Sequence, residues 1–243
     1  MLGFVFGSGF EDFVLDNAQT VQTQTPFGET EFDLGIFNGT RVAVLHRHGK
    51  DHRFAPHQIP SKAQMWALKE AGVTEIIAVA SVGGMAAENA PGHFTVPDQI
   101  VDYTYGRECT YWGEAGMPMQ HIDFTRPFDE SLREKLLHAS ENAKVYVHPK
   151  GTYACTQGPR LETAAEVRRM IMDGCDMVGM TAMPEAALAK ELGIRYAMIC
   201  FSVNWAAGLV DDTLDFAAIK ESMKRSVSSL RNVLAHFVQM NSH

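Results

Sequence analysis

Little in this chain would cross-link it or draw it to a polyanion. Cys109, Cys155, Cys175 and Cys200 are the only cysteines in 243 residues. They have neither the close pairing of a zinc site nor the density of a disulfide scaffold, which leaves reduced thiols in a cytoplasmic protein as the expectation. Basic residues are in deficit, 21 Lys and Arg against 29 Asp and Glu, for a net charge of -8. That excludes a general nucleic-acid surface, which needs clustered cations to displace counterions, while leaving room for a local anion site. No apolar run approaches the roughly 18 residues of a membrane-spanning helix. Residues 1–8 carry no basic region ahead of their apolar stretch, so neither membrane insertion nor export is expected. Repeats, low-complexity tracts and Gly/Ser or Pro linkers are also missing, and one domain over residues 1–243 is the simplest organisation.

Hydrophobic residues make up 46% of the chain, enough for a large core. They gather in short, nearly continuous runs at residues 3–6, 41–45, 76–80, 99–103, 177–180 and 197–203, as strands buried on both faces require. Helices fall between several of them. Ser61-Lys62-Ala63-Gln64 and Thr163-Ala164-Ala165-Glu166 fit capping boxes, with Gly72 and Gly174 placed to close the helices that follow. Pro184 suits the first turn of a third helix, ended by Gly193. Ile219, Met223, Val227, Leu230, Leu234 and Phe237 recur at three- and four-residue steps, the core-facing stripe of a long amphipathic helix. Alternating strands and helices predict an α/β fold, a three-layer sandwich with a central mixed β-sheet flanked by helices.

Three segments at predicted strand ends carry candidate anion ligands. In Gly7-Ser8-Gly9 the glycines let backbone N–H groups approach a ligand, and Ser8 adds a hydroxyl; a plain glycine turn is the alternative. In His46-Arg47-His48-Gly49, Arg47 offers a forked cation matched to phosphate oxygens and His48 a further donor. Thr181 is a third hydroxyl, with helix capping as its alternative role. His46, His48, His52 and His57 are crowded, but no His-Glu-x-x-His pattern or carboxylate cluster accompanies them, so no metal site is predicted.

Taken together, Gly7-Ser8-Gly9, Arg47-His48-Gly49, Ser81-Val82-Gly83-Gly84, Gln157-Gly158-Pro159-Arg160, Gly179-Met180-Thr181 and Pro184-Glu185 resemble, in content and order, the trimeric purine nucleoside phosphorylase and methylthioadenosine phosphorylase family. The resemblance implies that fold, a homotrimer, and cleavage of a nucleoside by inorganic phosphate as co-substrate, with no metal or redox cofactor. It implies that Ser8, Arg47, His48, Ser81 and Thr181 surround phosphate, Ser81 mainly through its backbone, and that Val82 and Met180 lie against the nucleoside. Leu161 stands where the family usually stacks a Phe on the base.

The same resemblance narrows the base. Asn204 stands where members acting on 6-aminopurines carry Asp, and Ala206 where methylthioadenosine phosphorylases carry a second one. An amide can donate to N7 or a 6-oxo group, and Glu162 can accept from the N1–H that only a 6-oxopurine has. A role at a helix N-terminus for Glu162, and a strand-end turn for Asn204, are their structural alternatives. The stretch 208–216 lacks the His that binds a 5'-hydroxyl in ordinary members; Leu209, Val210 and Leu214 suit an apolar 5'-alkylthio group instead, with His121 matching the His supplied by a neighbouring subunit. The expected substrate is a 6-oxopurine nucleoside, 5'-methylthioinosine foremost, yielding hypoxanthine and 5-methylthioribose 1-phosphate. Inosine or guanosine, methylthioadenosine, and a non-catalytic nucleoside-binding role are the alternatives.

Overall fold

The apolar runs form strands whose side chains alternate between two cores. In the computed structural model, which describes residues 1–210 and 216–240, strand β1 (Leu2–Phe6) lies between β4 (Thr40–His46) and β5 (Glu75–Gly84), parallel to both. Val5, Ala43, Leu45, Ile76 and Ala78 enter one core, whereas Phe4, Phe6, Val42, Val44, Ile77 and Val79 enter the other. Strand β11 (Arg195–Trp205) runs parallel to β5 and keeps the same alternation, with Met198 and Cys200 on one side and Ile199 and Phe201 on the other. Two apolar faces demand cover on both. Helices α1 (Ser61–Glu70) and α4 (Ala182–Glu191) cover the first, α2 (Glu130–Asn142) and α5 (Phe216–Met240) the second. The expected mixed sheet between helical layers is therefore present.

The sheet divides at β5. Its paired strands run in the order β2 (Asp16–Thr25), β3 (Gly28–Phe37), β4, β1, β5, β10 (Met177–Gly179), β9 (Thr152–Cys155) and β7 (Gln99–Asp102). A branch from β5 continues through β11 to β6 (Phe94–Thr95) and β8 (Val147–His148). β1 follows β5 only as far as Phe6 opposite Val79, and β10 takes up the same edge at Gly83 and Gly84. Ala80, Ser81 and Val82 thus cross a gap between two partners. Main-chain groups alternate sides along a strand, so the Ser81 amide, between Val79 and Gly83, faces that gap.

The helix starts divide. Thr163 forms its reciprocal capping box with Glu166 at the head of α3 (Ala164–Met172). Ser61 forms none: Pro60 is the N-cap of α1 and no side chain caps it. Ser61 and Gln64 are instead buried, and Gln64 Nε2 donates to the Arg47 carbonyl at 2.9 Å, so that polar residue anchors the strand below. In α4 an extended residue, Met183, separates Ala182 from the helical run beginning at Pro184. Gly72, Gly174 and Gly193 all take positive φ just past their helices.

Phe6 is fully buried and stacks on Phe10 at 4.5 Å, tying the end of β1 to the loop that follows. Phe6→Ala is expected to lower unfolding free energy by about 3–5 kcal/mol in denaturant titration, because the aromatic cluster around it cannot close on the cavity left.

Candidate active site

Arg47 is completely buried at the end of β4, where an unpaired guanidinium would be strongly unfavourable. Its Nε donates to Glu185 Oε2 at 3.0 Å and its Nη2 to Oε1 at 2.9 Å, a bidentate pair. Nη2 also donates to the Val5 carbonyl at 3.3 Å and Nη1 to that of Val79 at 2.8 Å. Tyr196 donates to Glu185 Oε1 at 2.6 Å. Burial alone would favour loss of the Arg47 charge, but the Glu185 carboxylate outweighs it and raises the pKa. Four of the five guanidinium hydrogens are thereby committed to the protein, and the fifth belongs to Nη1. A Cβ on Gly7 would come within 2.9 Å of that Nη1, so glycine is required for the loop to pass over it. Arg47 was expected to face an anion with its whole fork; the fork instead faces Glu185.

Beside Arg47 opens a cavity of about 390 Å³. Ser8, Arg47, His48, Ser81 and Thr181, the expected anion ligands, all line it. So do Val82, Leu161, Glu162, Met180 and Asn204. The Thr181 side chain does not cap α4. His48 Nδ1 donates to the Phe54 carbonyl at 2.9 Å, which leaves Nε2 as the other polar atom of its ring. Burial pushes the His48 pKa down, partly opposed by that carbonyl, with Arg47 and His52 adding to the drop. A neutral His48 therefore presents an acceptor at Nε2, whereas the sequence suggested a donor.

Glu162 receives the Thr156 hydroxyl on Oε1 at 2.6 Å, which fixes the carboxylate and leaves Oε2 for a ligand. Asn204 owes its position to a bulge: Ser202 pairs with Val82 but Asn204 with Gly83, so Val203 is an extra residue. Its Nδ2 donates to the Trp205 carbonyl at 2.7 Å, leaving the second amide hydrogen for other use. The Met180 carbonyl is clamped by Arg107 Nη1 at 2.9 Å; the same guanidinium reaches the carbonyls of Thr156, Gln157 and Met183.

Two expected nucleoside contacts fall outside it, and His121, expected to serve a neighbouring subunit's site, does not line it either. Leu209 packs against the cluster of Ala154, Val167 and Val178, and Val210 is 46% exposed; neither lines the cavity. Ile219 and Met223 of α5 do, with Met223 beside Gly9. The helical stripe was expected to be all core, yet its first turns form an apolar wall of the site. His121 is exposed with its ring against Trp112 at 4.6 Å. Leu214 lies outside the described residues. Sequence reasoning also missed Glu185, Tyr196 and Arg107 as supports. Only the pairing of a lone buried-segment acid with a strand-end arginine could have suggested Glu185.

Comparison with known proteins places this geometry. The profile of the Phosphorylase superfamily matches residues 2–239. The chain belongs to that superfamily. It is 41% identical over 240 residues to the 6-oxopurine nucleoside phosphorylase of Pyrococcus furiosus, covering 96% of this chain and 91% of the relative. It is 43% identical over 223 residues to a probable S-methyl-5'-thioinosine phosphorylase of Pseudomonas syringae pv. tomato, covering 91% of each. Among solved structures, methylthioadenosine phosphorylase from Schistosoma mansoni in complex with adenine superposes with a TM-score of 0.92 at 31% identity, over 99% of this chain and 91% of that one. As a superfamily member with nucleoside phosphorylase relatives, the protein is an enzyme of the pentosyltransferase type.

Glu185→Ala should cost about 3–5 kcal/mol by stranding a buried cation, and should abolish activity in the fraction that folds. Burial holds His46 and His48 below the ordinary imidazole value of 6.5. The unfolded chain then binds protons that the folded chain refuses, so stability is lost as pH falls below about 6.5. Thermal melts between about pH 7 and pH 5 should show a falling midpoint, with a shallower fall in His46→Asn.

Proposed function

We propose that the enzyme cleaves the N-glycosidic bond of 6-oxopurine nucleosides with inorganic phosphate, 5'-methylthioinosine being the foremost substrate. The observation that carries this reading is the convergence on one cavity of the Ser8–Arg47–His48–Ser81–Thr181 group and the Glu162–Asn204 pair. Phosphate at the gap in the sheet attacks C1' as the bond to N9 breaks. The sugar gains cationic character and the purine negative charge. Arg47 Nη1, the Ser81 amide and the Ser8 and Thr181 hydroxyls hold the nucleophile in line. Asn204, tied by one amide hydrogen to Trp205, directs the other to N7 or O6 of the leaving base, and Glu162 accepts from N1–H through the oxygen that Thr156 leaves free.

Two observations favour a 5'-alkylthio over a 5'-hydroxyl group. Ile219 and Met223 make the wall near the Ser8 loop apolar, where burying one methylene-sized group contributes roughly 1 kcal/mol. One of the relatives is named for S-methyl-5'-thioinosine. Inosine and guanosine remain the second reading, favoured by the relative named for 6-oxopurine nucleosides. In this reading the chain works as a cytoplasmic homotrimer, and the exposed His121 serves the site of a neighbouring copy. Phosphate is its co-substrate and it has no other cofactor.

Steady-state release of free base from 5'-methylthioinosine, 5'-methylthioadenosine and inosine, with and without phosphate, tests the assignment. Release should require phosphate and be fastest for the first compound; phosphate-independent hydrolysis would overturn it. Asn204→Asp should shift the 6-oxo to 6-amino preference by roughly tenfold or more toward the 6-amino compound, the scale of one buried hydrogen bond gained or lost.

A further inference from the structure

Strands β9 and β10 pair in parallel as far as Cys155 and Gly179, and a bond from the Thr156 amide to the Gly179 carbonyl at 2.8 Å closes their ladder. Beyond it the two chains continue as loops. Residues 156–162 bring Leu161 and Glu162 to the cavity, and residues 180–183, which run into α4, bring Met180 and Thr181. The loops touch, since a Cβ on Gly158 would lie 2.5 Å from Met180 Sδ. That contact sets their spacing only loosely, because a thioether side chain adapts to its surroundings.

Arg107 supplies the rigid link. It belongs to the segment between β7 and α2, and all five of its guanidinium hydrogens go to these two loops. Nη2 donates to the carbonyls of Thr156 at 3.1 Å and Gln157 at 2.8 Å, and Nε to Gln157 Oε1 at 3.1 Å. Nη1 donates to the carbonyls of Met180 at 2.9 Å and Met183 at 2.6 Å. Each terminal nitrogen serves one loop, and the planar guanidinium fixes how far apart they stand. The main chain around Arg107 is itself anchored: the Tyr105 amide donates to Gln157 Oε1 at 3.2 Å, and the Thr110 hydroxyl and Tyr111 amide donate to Glu191 at 2.7 and 2.6 Å. Arg107 does not line the cavity.

Resting on the phosphorolysis reading, we propose that Arg107 is a positioning residue that sets the spacing between the base-holding and phosphate-holding loops, and so brings nucleoside and phosphate into line. On one side it acts through Thr156, whose carbonyl it holds and whose hydroxyl holds Glu162 Oε1 at 2.6 Å. On the other it acts through Met180, whose carbonyl it holds and which directly precedes Thr181. Without Arg107 each loop keeps its own ligand groups, but their separation is no longer fixed. A misplacement of about 1 Å can cost about 100-fold in rate, so the loss falls on turnover rather than on the binding of either substrate. A purely structural role would instead lower the folded fraction and leave turnover per folded molecule unchanged.

The test compares wild-type enzyme with Arg107→Ala and Arg107→Lys, varying 5'-methylthioinosine and inorganic phosphate in turn and counting kcat per folded molecule by circular dichroism. In Arg107→Ala, kcat should fall about 100-fold while both KM values stay within roughly threefold of the wild type. Guanidinium chloride at about 10 mM, far below denaturing concentrations, should restore kcat about tenfold in that variant and leave the wild type unchanged. Arg107→Lys keeps the charge but has one nitrogen, which cannot span both loops; its kcat should fall roughly tenfold with the same unchanged KM values, and it serves as the test should the alanine variant not fold. Wild-type turnover per folded molecule in either variant, or a loss confined to one KM, would overturn the role of Arg107 alone, phosphate still being required. Base release by the wild type that needs no phosphate would instead overturn the reading on which it rests.

Discussion

The buried pairing of Arg47 with Glu185 joins four elements that are not adjacent in sequence. Arg47 directly follows β4, Glu185 lies in the first turn of the helical run of α4, and the carbonyls of Val5 and Val79 bring in β1 and β5. Two ions removed from water repay their desolvation only when nearly every donor and acceptor is matched, and here Tyr196 completes the carboxylate side. The pair need not add to stability compared with an apolar replacement. What it provides is a single cation whose place and orientation are fixed by four hydrogen bonds, with one N–H of Nη1 outside them. A side chain held this way loses little conformational freedom when a ligand arrives.

The cavity beside it follows from sheet topology. β5 gives up β1 at Val79 and takes β10 at Gly83, and the main chain between them has one edge without a strand. Open α/β sheets place their binding crevices where strand partners change, and this is such a point within a mixed sheet. Ser8 arrives from the end of β1, His48 from just past β4, Thr181 from just past β10 and Asn204 from β11. The convergence of segments separated by more than a hundred residues is a property of the strand order rather than of any one motif.

How much of this was legible in the sequence depends on the kind of signal. Buried strands announce themselves by hydrophobic runs, and β1, β4, β5 and β11 were found within a few residues of their ends. The β2–β3 hairpin was missed because β2 is mostly polar and exposed and the apolar residues Phe32, Leu34 and Ile36 of β3 alternate with other residues instead of forming a run, and β6 and β8 because two residues carry no period. The Thr163 box and the Ser61 segment look alike as strings, yet one caps a helix and the other is buried against β4, a choice made by packing. Within the site, residues adjacent to glycines at strand ends were readable. Those that act through a partner elsewhere, such as Glu185 and Arg107, were not, because a single sequence does not say which distant atoms meet. Leu209 and Val210 misled for a related reason: an apolar residue near a site in the chain can still turn its side chain into a neighbouring cluster.

The extra residue in β11 reverses the phase of that strand. Up to Ser202, even-numbered residues share the side of Val82; beyond Val203, Asn204 stands level with Gly83 and so moves to the opposite side, that of Ser81. Which side chains line the cavity is therefore decided by residue count as much as by residue type. Removing Val203 alone would leave Asn204 in the chain and yet turn it to the other side of the strand, so within this architecture a change of length is as direct a route to a new pocket as a change of letter.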